Sequence, residues 1–144
     1  MDDRLKAWNA RMLLGLLPDV RAIADRHILL AESKGLVLRV TQGLRSLSEQ
    51  EAIYAKGRTE QGSVVTNARP GYSWHNFGRA YDVAVVIGGK VVWESRQYAA
   101  VGVLGKSVGL VWGGDFKGMA GDLGHFEYHP GLTLAEARKH AGIT

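Results

Sequence analysis

The sequence predicts an α+β domain with a small, mainly antiparallel sheet and flanking helices, a fold class that three features support. An apolar stripe at helical spacing follows Pro18, and two β-branched runs meet at Gly88-Gly89, the mark of a tight hairpin. Helices and strands are also interspersed in an order that suits α+β packing.

Trp8 and the apolar residues after it predict a short first helix. Pro18 opens a second, in which Val20, Ile23, Ala24 and His27 share a face and Gly35 ends the run. Leu36–Thr41 alternates like a strand. Ser46 or Ser48, with Glu49 or Glu51 three residues on, is a capping-box signal for a helix that ends near Gly57. Arg58–Gly71 is polar and turn-rich and reads as a surface loop. Tyr81–Ile87 and Lys90–Trp93 form the two arms of the hairpin. Ser95 is the expected cap of a helix that stops at Gly109, and Leu110–Trp112 is a short strand leading into a glycine-rich loop. Gly124–Tyr128 is the last strand, and Thr133 with Glu136 caps a final helix.

At 144 residues, 46% hydrophobic and 22% charged, the chain is expected to form a single domain over 1–144, without repeats or linkers. It has no cysteine, so any metal must take His, Asp, Glu or water as ligands. The net charge of +4 favours encounter with polyanions, among them nucleic acid, anionic lipid and the bacterial envelope. Scattered Lys and Arg without a reader motif argue against nucleic acid. The only N-terminal apolar cluster, Met12–Leu17, is shorter than a signal-peptide core, so the expectation is a cytoplasmically made chain with no stable membrane insertion.

Two segments carry chemistry. Ser73-Trp74-His75-Asn76-Phe77-Gly78-Arg79-Ala80-Tyr81-Asp82 is followed some forty residues later by Asp122-Leu123-Gly124-His125-Phe126-Glu127. Two imidazoles and a carboxylate are the donor set of a catalytic zinc site with one open position. Asp82 begins a strongly apolar strand, where a carboxylate is costly unless a cation or donors satisfy it. His125 and Glu127 would share one strand face, with Asp122 in the preceding loop. His27 reads as a packed core histidine, His140 as a complement to a helix end, and His129 stays outside the metal shell. Taken singly, each proposed ligand also has an ordinary structural reading, and spacing alone leaves both open.

Both segments match S-x-H-x-x-G-x-A-x-D followed by D/E-x-x-H, through Ser73, His75, Gly78, Ala80 and Asp82, then Asp122 and His125. In this the chain resembles the LAS-type zinc peptidases, which include D-alanyl-D-alanine peptidases and phage L-alanyl-D-glutamate endopeptidases. Thr41–Arg45, Tyr54–Thr59, Val65–Ala68 and Trp112–Asp115 are similar to the endopeptidase branch, so the likeness runs over roughly residues 18–130. It implies a hedgehog/DD-peptidase-like fold with His75, Asp82 and His125 as zinc ligands and Asp122 as the catalytic base. It further implies that Arg45 stabilises the oxyanion and that Ser73 bonds the substrate backbone. Trp112 and the glycines after it look like a wall of the cleft or, equally, a tight turn over the core. Glu127 is expected either to orient a ligand or to form an ordinary ion pair. An Asp base, where the dipeptidase branch carries Glu, needs a backbone that comes closer to the metal.

The resemblance implies a monomeric endolysin that cuts the L-Ala–D-Glu bond of peptidoglycan. It would wait in the host cytoplasm, without a signal peptide or separate wall-binding domain, and reach the wall once the membrane is permeabilised. The alternatives are a D,D-carboxypeptidase or dipeptidase and a non-catalytic wall-binding module.

Overall fold

The computed structural model describes residues 1–117 and 121–143. Helix α1 (Asp3–Leu13) starts where the Asp2 carboxylate accepts the Leu5 N–H, and α2 (Pro18–Ser33) starts on a proline whose missing N–H is no loss there. Strand β1 (Val37–Gln42) follows. Helix α3 (Leu47–Ala55) opens on the reciprocal Ser46–Glu49 capping box. A 3-10 turn, Trp74–Phe77, leads through Gly78 into β2 (Ala80–Ile87). Gly88 and Gly89 both take positive φ, 59° and 78°, the conformation a two-residue hairpin requires before β3 (Lys90–Val92).

Helix α4 (Ser95–Ser107) begins one residue away from expectation: Glu94 occupies the cap position, makes no side-chain cap bond, and Ser95 is the first helical residue. The chain is extended at Glu94 and turns into helix directly after it, one residue too early for Ser95 to be the cap. Strand β4 (Val111–Trp112), a second 3-10 turn (Gly113–Asp115), β5 (His125–Glu127) and α5 (Leu134–His140), with its Thr133–Glu136 capping box, complete the order.

The named strands pair antiparallel, in the order β1-β2-β5-β4, with β3 also on β2. One edge of β2 carries β1. The other is shared, with β5 opposite Ala80–Asp82 and β3 opposite Val85–Ile87. Alternation then separates two faces. Leu38, Val40, Tyr81, Val83, Val85 and Phe126 are buried in one core with Val20, Ala24 and Ile28 of α2 and Val101 of α4. Asp82, His125 and Glu127 sit on the opposite face. Asn9 fixes α1 to β1, its amide donating to Leu38 O and its carbonyl accepting from Val40 N.

His27 is the polar centre of that core, as its place on the apolar stripe predicts. Val101 O can only accept, so Nε2 carries the proton (2.9 Å) and Nδ1 accepts from the Tyr81 hydroxyl (2.7 Å). Burial lowers the imidazole pKa below its ordinary 6.5, against the opposing pull of the Val101 bond. The unfolded chain therefore takes up this proton first, so the stability linked to neutral His27 is complete above about pH 6.5 and lost as the pH falls through the window below it. Replacing His27 with Leu should cost about 1–3 kcal/mol at neutral pH by stranding the Tyr81 hydroxyl and Val101 carbonyl. Urea titrations from pH 8 to 5, under identical metal conditions, should show a smaller acid-side loss in the variant than in the wild type.

Candidate active site

The register of β2 against β5 sets Asp82 directly opposite His125, so both side chains emerge on one face at neighbouring positions. His75 arrives from the 3-10 turn, whose C-terminal Gly78 has φ 68° and lies with its Cα against the Gly15–Leu17 backbone. His75 Nε2 lies 3.2 Å from Asp82 Oδ1 and 3.2 Å from His125 Nδ1, and the last two atoms are 2.9 Å apart.

The far nitrogens decide what these three atoms are. His75 Nδ1 faces the Gly43 carbonyl at 2.9 Å, an acceptor only, so it holds the proton of the neutral ring and leaves Nε2 bare. His125 Nε2 faces Glu127 Oε1 at 2.8 Å, and the same logic leaves Nδ1 bare. With both rings neutral, two lone pairs and a carboxylate converge on one point, an arrangement that calls for a cation; without a metal, a proton on His125 Nδ1 takes that place and bonds the carboxylate. The spacings approach the ~3.3 Å expected between tetrahedral donors about 2.0–2.1 Å from a zinc ion, so the residues fit that metal. His75, Asp82 and His125 are the candidate metal group among the described residues.

Charges around the centre agree. Burial resists ionisation of Asp82, but hydrogen bonds from His125 and His75 outweigh it and hold the carboxyl far below its ordinary range. Burial likewise opposes a charge on His125, yet its bonds to Asp82 and Glu127 push the pKa up to about 10. Glu127 is kept ionised against burial by His125 and His129. It therefore orients the His125 ring, one of the two roles expected for it, and His129, stacked on Trp74 at 3.9 Å, braces Glu127 from behind.

Asp122 Oδ2 stands 3.9 Å from His125 Nδ1. Its pKa is raised by burial and then by the Asp82 carboxylate, although the side chain is 65% exposed and water moderates both effects. Arg45 Nη2 lies 3.9 Å from Asp82 Oδ2. Its other guanidinium arm donates to Gln50 Oε1 at 3.0 Å, while the Gln50 amide donates to Ala68 O at 2.7 Å. Gln50 is fully buried and ties Arg45 to the 58–71 loop. Nothing in the sequence sets it apart from the other polar residues of α3, because only the tertiary fold shows which of them turns inward.

The other two expected site residues have local partners. Ser73 caps the 3-10 turn, its hydroxyl accepting the His75 N–H at 3.3 Å. Trp112 packs against Gly102 of α4 and against Gly114, and its indole N–H donates to Leu123 O at 2.8 Å. That is the tight-turn placement, in which Trp112 holds the loop bearing Asp122.

Zinc binding should release the His125 proton, so apparent affinity should rise about tenfold per pH unit below the pKa of that group. Calorimetry in buffers of different ionisation enthalpy would measure the proton count. Glu127→Gln should weaken zinc binding about 10–100-fold, and His75→Ala should bring a larger loss in the same titration.

Comparison with known proteins agrees with this centre. The family model described as D-alanyl-D-alanine carboxypeptidase matches residues 66–128, the stretch that contains every proposed ligand and Asp122. The chain is 36% identical over 125 residues to the peptidoglycan L-alanyl-D-glutamate endopeptidase CwlK of Bacillus subtilis, covering 80% of this chain and 74% of that protein. Among solved structures, the L-Ala D-Glu endopeptidase ChiX of Serratia marcescens aligns with a TM-score of 0.64 at 27% identity, over 85% of this chain and 87% of its own. The vancomycin resistance D,D-pentapeptidase VanY in complex with Zn(II) shares the fold, with a TM-score of 0.60 at 18% identity over 89% and 80% of the two chains. Identity of this extent to a curated relative over most of the sequence, with a family model matched across residues 66–128, makes the chain a member of the LAS-type zinc peptidase family.

Proposed function

We propose that the chain is an endopeptidase that hydrolyses the L-alanyl–D-glutamate bond of peptidoglycan stem peptides. The observation that carries this reading is the placement of Asp122 and Arg45 beside a His-Asp-His centre, in a chain 36% identical to an endopeptidase of that specificity. His75, Asp82 and His125 would hold the zinc ion, which would supply a Lewis acid to polarise the scissile carbonyl and lower the pKa of water towards about 7. Asp122, solvent-accessible and adjacent to the centre, takes a proton from the attacking water and returns it to the leaving D-Glu amine as the C–N bond breaks. Arg45 offers a fixed positive charge to the developing oxyanion. Gln50 holds that guanidinium in place, so little reorganisation is needed when the charge forms.

The reading extends to a monomeric endolysin, a catalytic domain over 1–144 that meets the wall once the host membrane is permeabilised. Its support is the likeness of the Tyr54–Thr59 and Trp112–Asp115 segments to the endopeptidase branch. No described helix is long and apolar enough to cross a membrane. The family model's own description favours a second reading, a D,D-carboxypeptidase.

Mass spectrometry of digested peptidoglycan separates the two. The expected products carry new L-Ala carboxyl and D-Glu amino ends, whereas free D-Ala would replace this reading with the carboxypeptidase. Asp122→Asn should lower the rate at least about 10²-fold while zinc still binds, and a chelator should abolish cleavage by the wild type.

A further inference from the structure

Trp93 is 76% exposed, more than any other large hydrophobic residue described. It is nevertheless held. Its ring lies parallel to that of Tyr98, with an interplanar angle of 1° and centroids 6.1 Å apart. Tyr98 is itself buried, and its hydroxyl accepts from Val85 N at 3.2 Å and donates to Val92 O at 2.8 Å, wedged between β2 and β3. One face of the indole is thus supported by an immobilised ring while much of its surface is open to solvent.

A cavity of about 380 Å³ joins this platform to the metal centre, since Trp93 and Tyr98 line it together with Asp82, Asp122, Ala84 and Thr41. It lies where the β2 edge passes from β5 to β3, a break in pairing that leaves room beside Val83 and Ala84. Of the two carboxylates on its wall, Asp82 is committed to the metal and Asp122 is left uncompensated, which disfavours an anionic occupant. Arg45, the cation beside Asp82, is not among the lining residues.

We infer that this cavity is the subsite for the acyl half of the substrate and that the Trp93 face receives the muramyl sugar. The inference rests on the endopeptidase reading and follows from the polarity of that substrate. The D-Glu half carries free carboxylates and belongs on the side of Arg45. The other half is an alanyl methyl and an uncharged pyranose. A methyl group does not need an indole-sized platform, whereas the C–H face of a pyranose matches one and is attracted to its negative π surface.

The test compares two substrates with the same L-Ala–D-Glu peptide, one bearing N-acetylmuramic acid and the other only an N-acetyl group. The wild type should favour the muramyl substrate in kcat/KM by about 10-fold or more. Trp93→Ala should bring that ratio close to one, and Trp93→Phe should keep most of it. A wild-type ratio near one, or a ratio unchanged in Trp93→Ala, overturns the subsite. A ratio that instead depends on the diamino acid further along the peptide overturns the assignment to the acyl half. Titration of the zinc-loaded protein with N-acetylmuramyl-L-alanine, followed by the Trp93 indole N–H resonance, gives a readout independent of turnover. A shift supports the subsite even if neither substrate is cut at this bond, which would sink the endopeptidase reading alone; absence of a shift at saturating ligand overturns the subsite.

Discussion

The pairing of Asp82 with His125 across β2 and β5 is the constraint on which the rest of the site depends. Side chains alternate along both strands, so the same register that joins these two on the open face also places Tyr81 and Phe126 together on the closed one, their rings 5.8 Å apart. Phe126 in turn meets the His27 ring edge-on at 4.5 Å. A slip of one residue would bury the candidate metal ligands and expose two of the largest core side chains. Hydrophobic packing therefore enforces the metal geometry without contributing a ligand, and the ligands themselves need no intrinsic affinity for one another.

Polar groups around the centre form two supporting chains that run outward in different directions. From His125 the chain passes through Glu127 to His129 and the Trp74 ring. From Arg45 it passes through Gln50 to the backbone of the 58–71 loop, with Asn76 donating to Arg45 O at 3.0 Å. The first chain sets a tautomer and a ring angle; the second sets the position of a cation. Burial makes both effective, because a buried amide or carboxylate that lost its partner would carry a desolvation penalty of about 1–3 kcal/mol or more. Each chain is thus held in one arrangement.

The parts of this molecule that were legible in the sequence have local causes. The capping boxes at Ser46 and Thr133 depend on residues three apart, and the Gly88-Gly89 hairpin on two adjacent positive φ angles. The His75–Asp82 and Asp122–His125 spacings were legible because each pair is carried by one short turn or strand entry. Gln50 and Trp93 were not, since the roles of both are set by elements distant in sequence. Gln50 is one of several polar residues on α3 until the loop folds over it, and Trp93 is the end of a strand until Tyr98 comes beneath it from α4. Trp112 stood between two readings because an aromatic beside glycines suits either a cleft wall or a packed turn. Only the small surfaces of Gly102 and Gly114 against its ring settle its packing.

Asp122, the proposed base, faces a question of reach, since its side chain is one methylene shorter than that of Glu. The backbone supplies the answer. Asp122 N donates to Gly113 O at 3.1 Å, and His125 N donates to Asp122 O at 3.1 Å, closing the loop tightly onto the strand that bears the ligand. A Cβ at position 113 would lie 2.3 Å from Asp122 O and 2.9 Å from His125 Cβ, a clash with backbone that rotation of a side chain cannot relieve. Glycine at 113 is therefore what lets the 122–125 turn approach, and the approach is what brings a short carboxylate to 3.9 Å from the metal-facing nitrogen of His125. The length of the proposed base and the absence of a side chain nine residues earlier are two halves of one geometric solution.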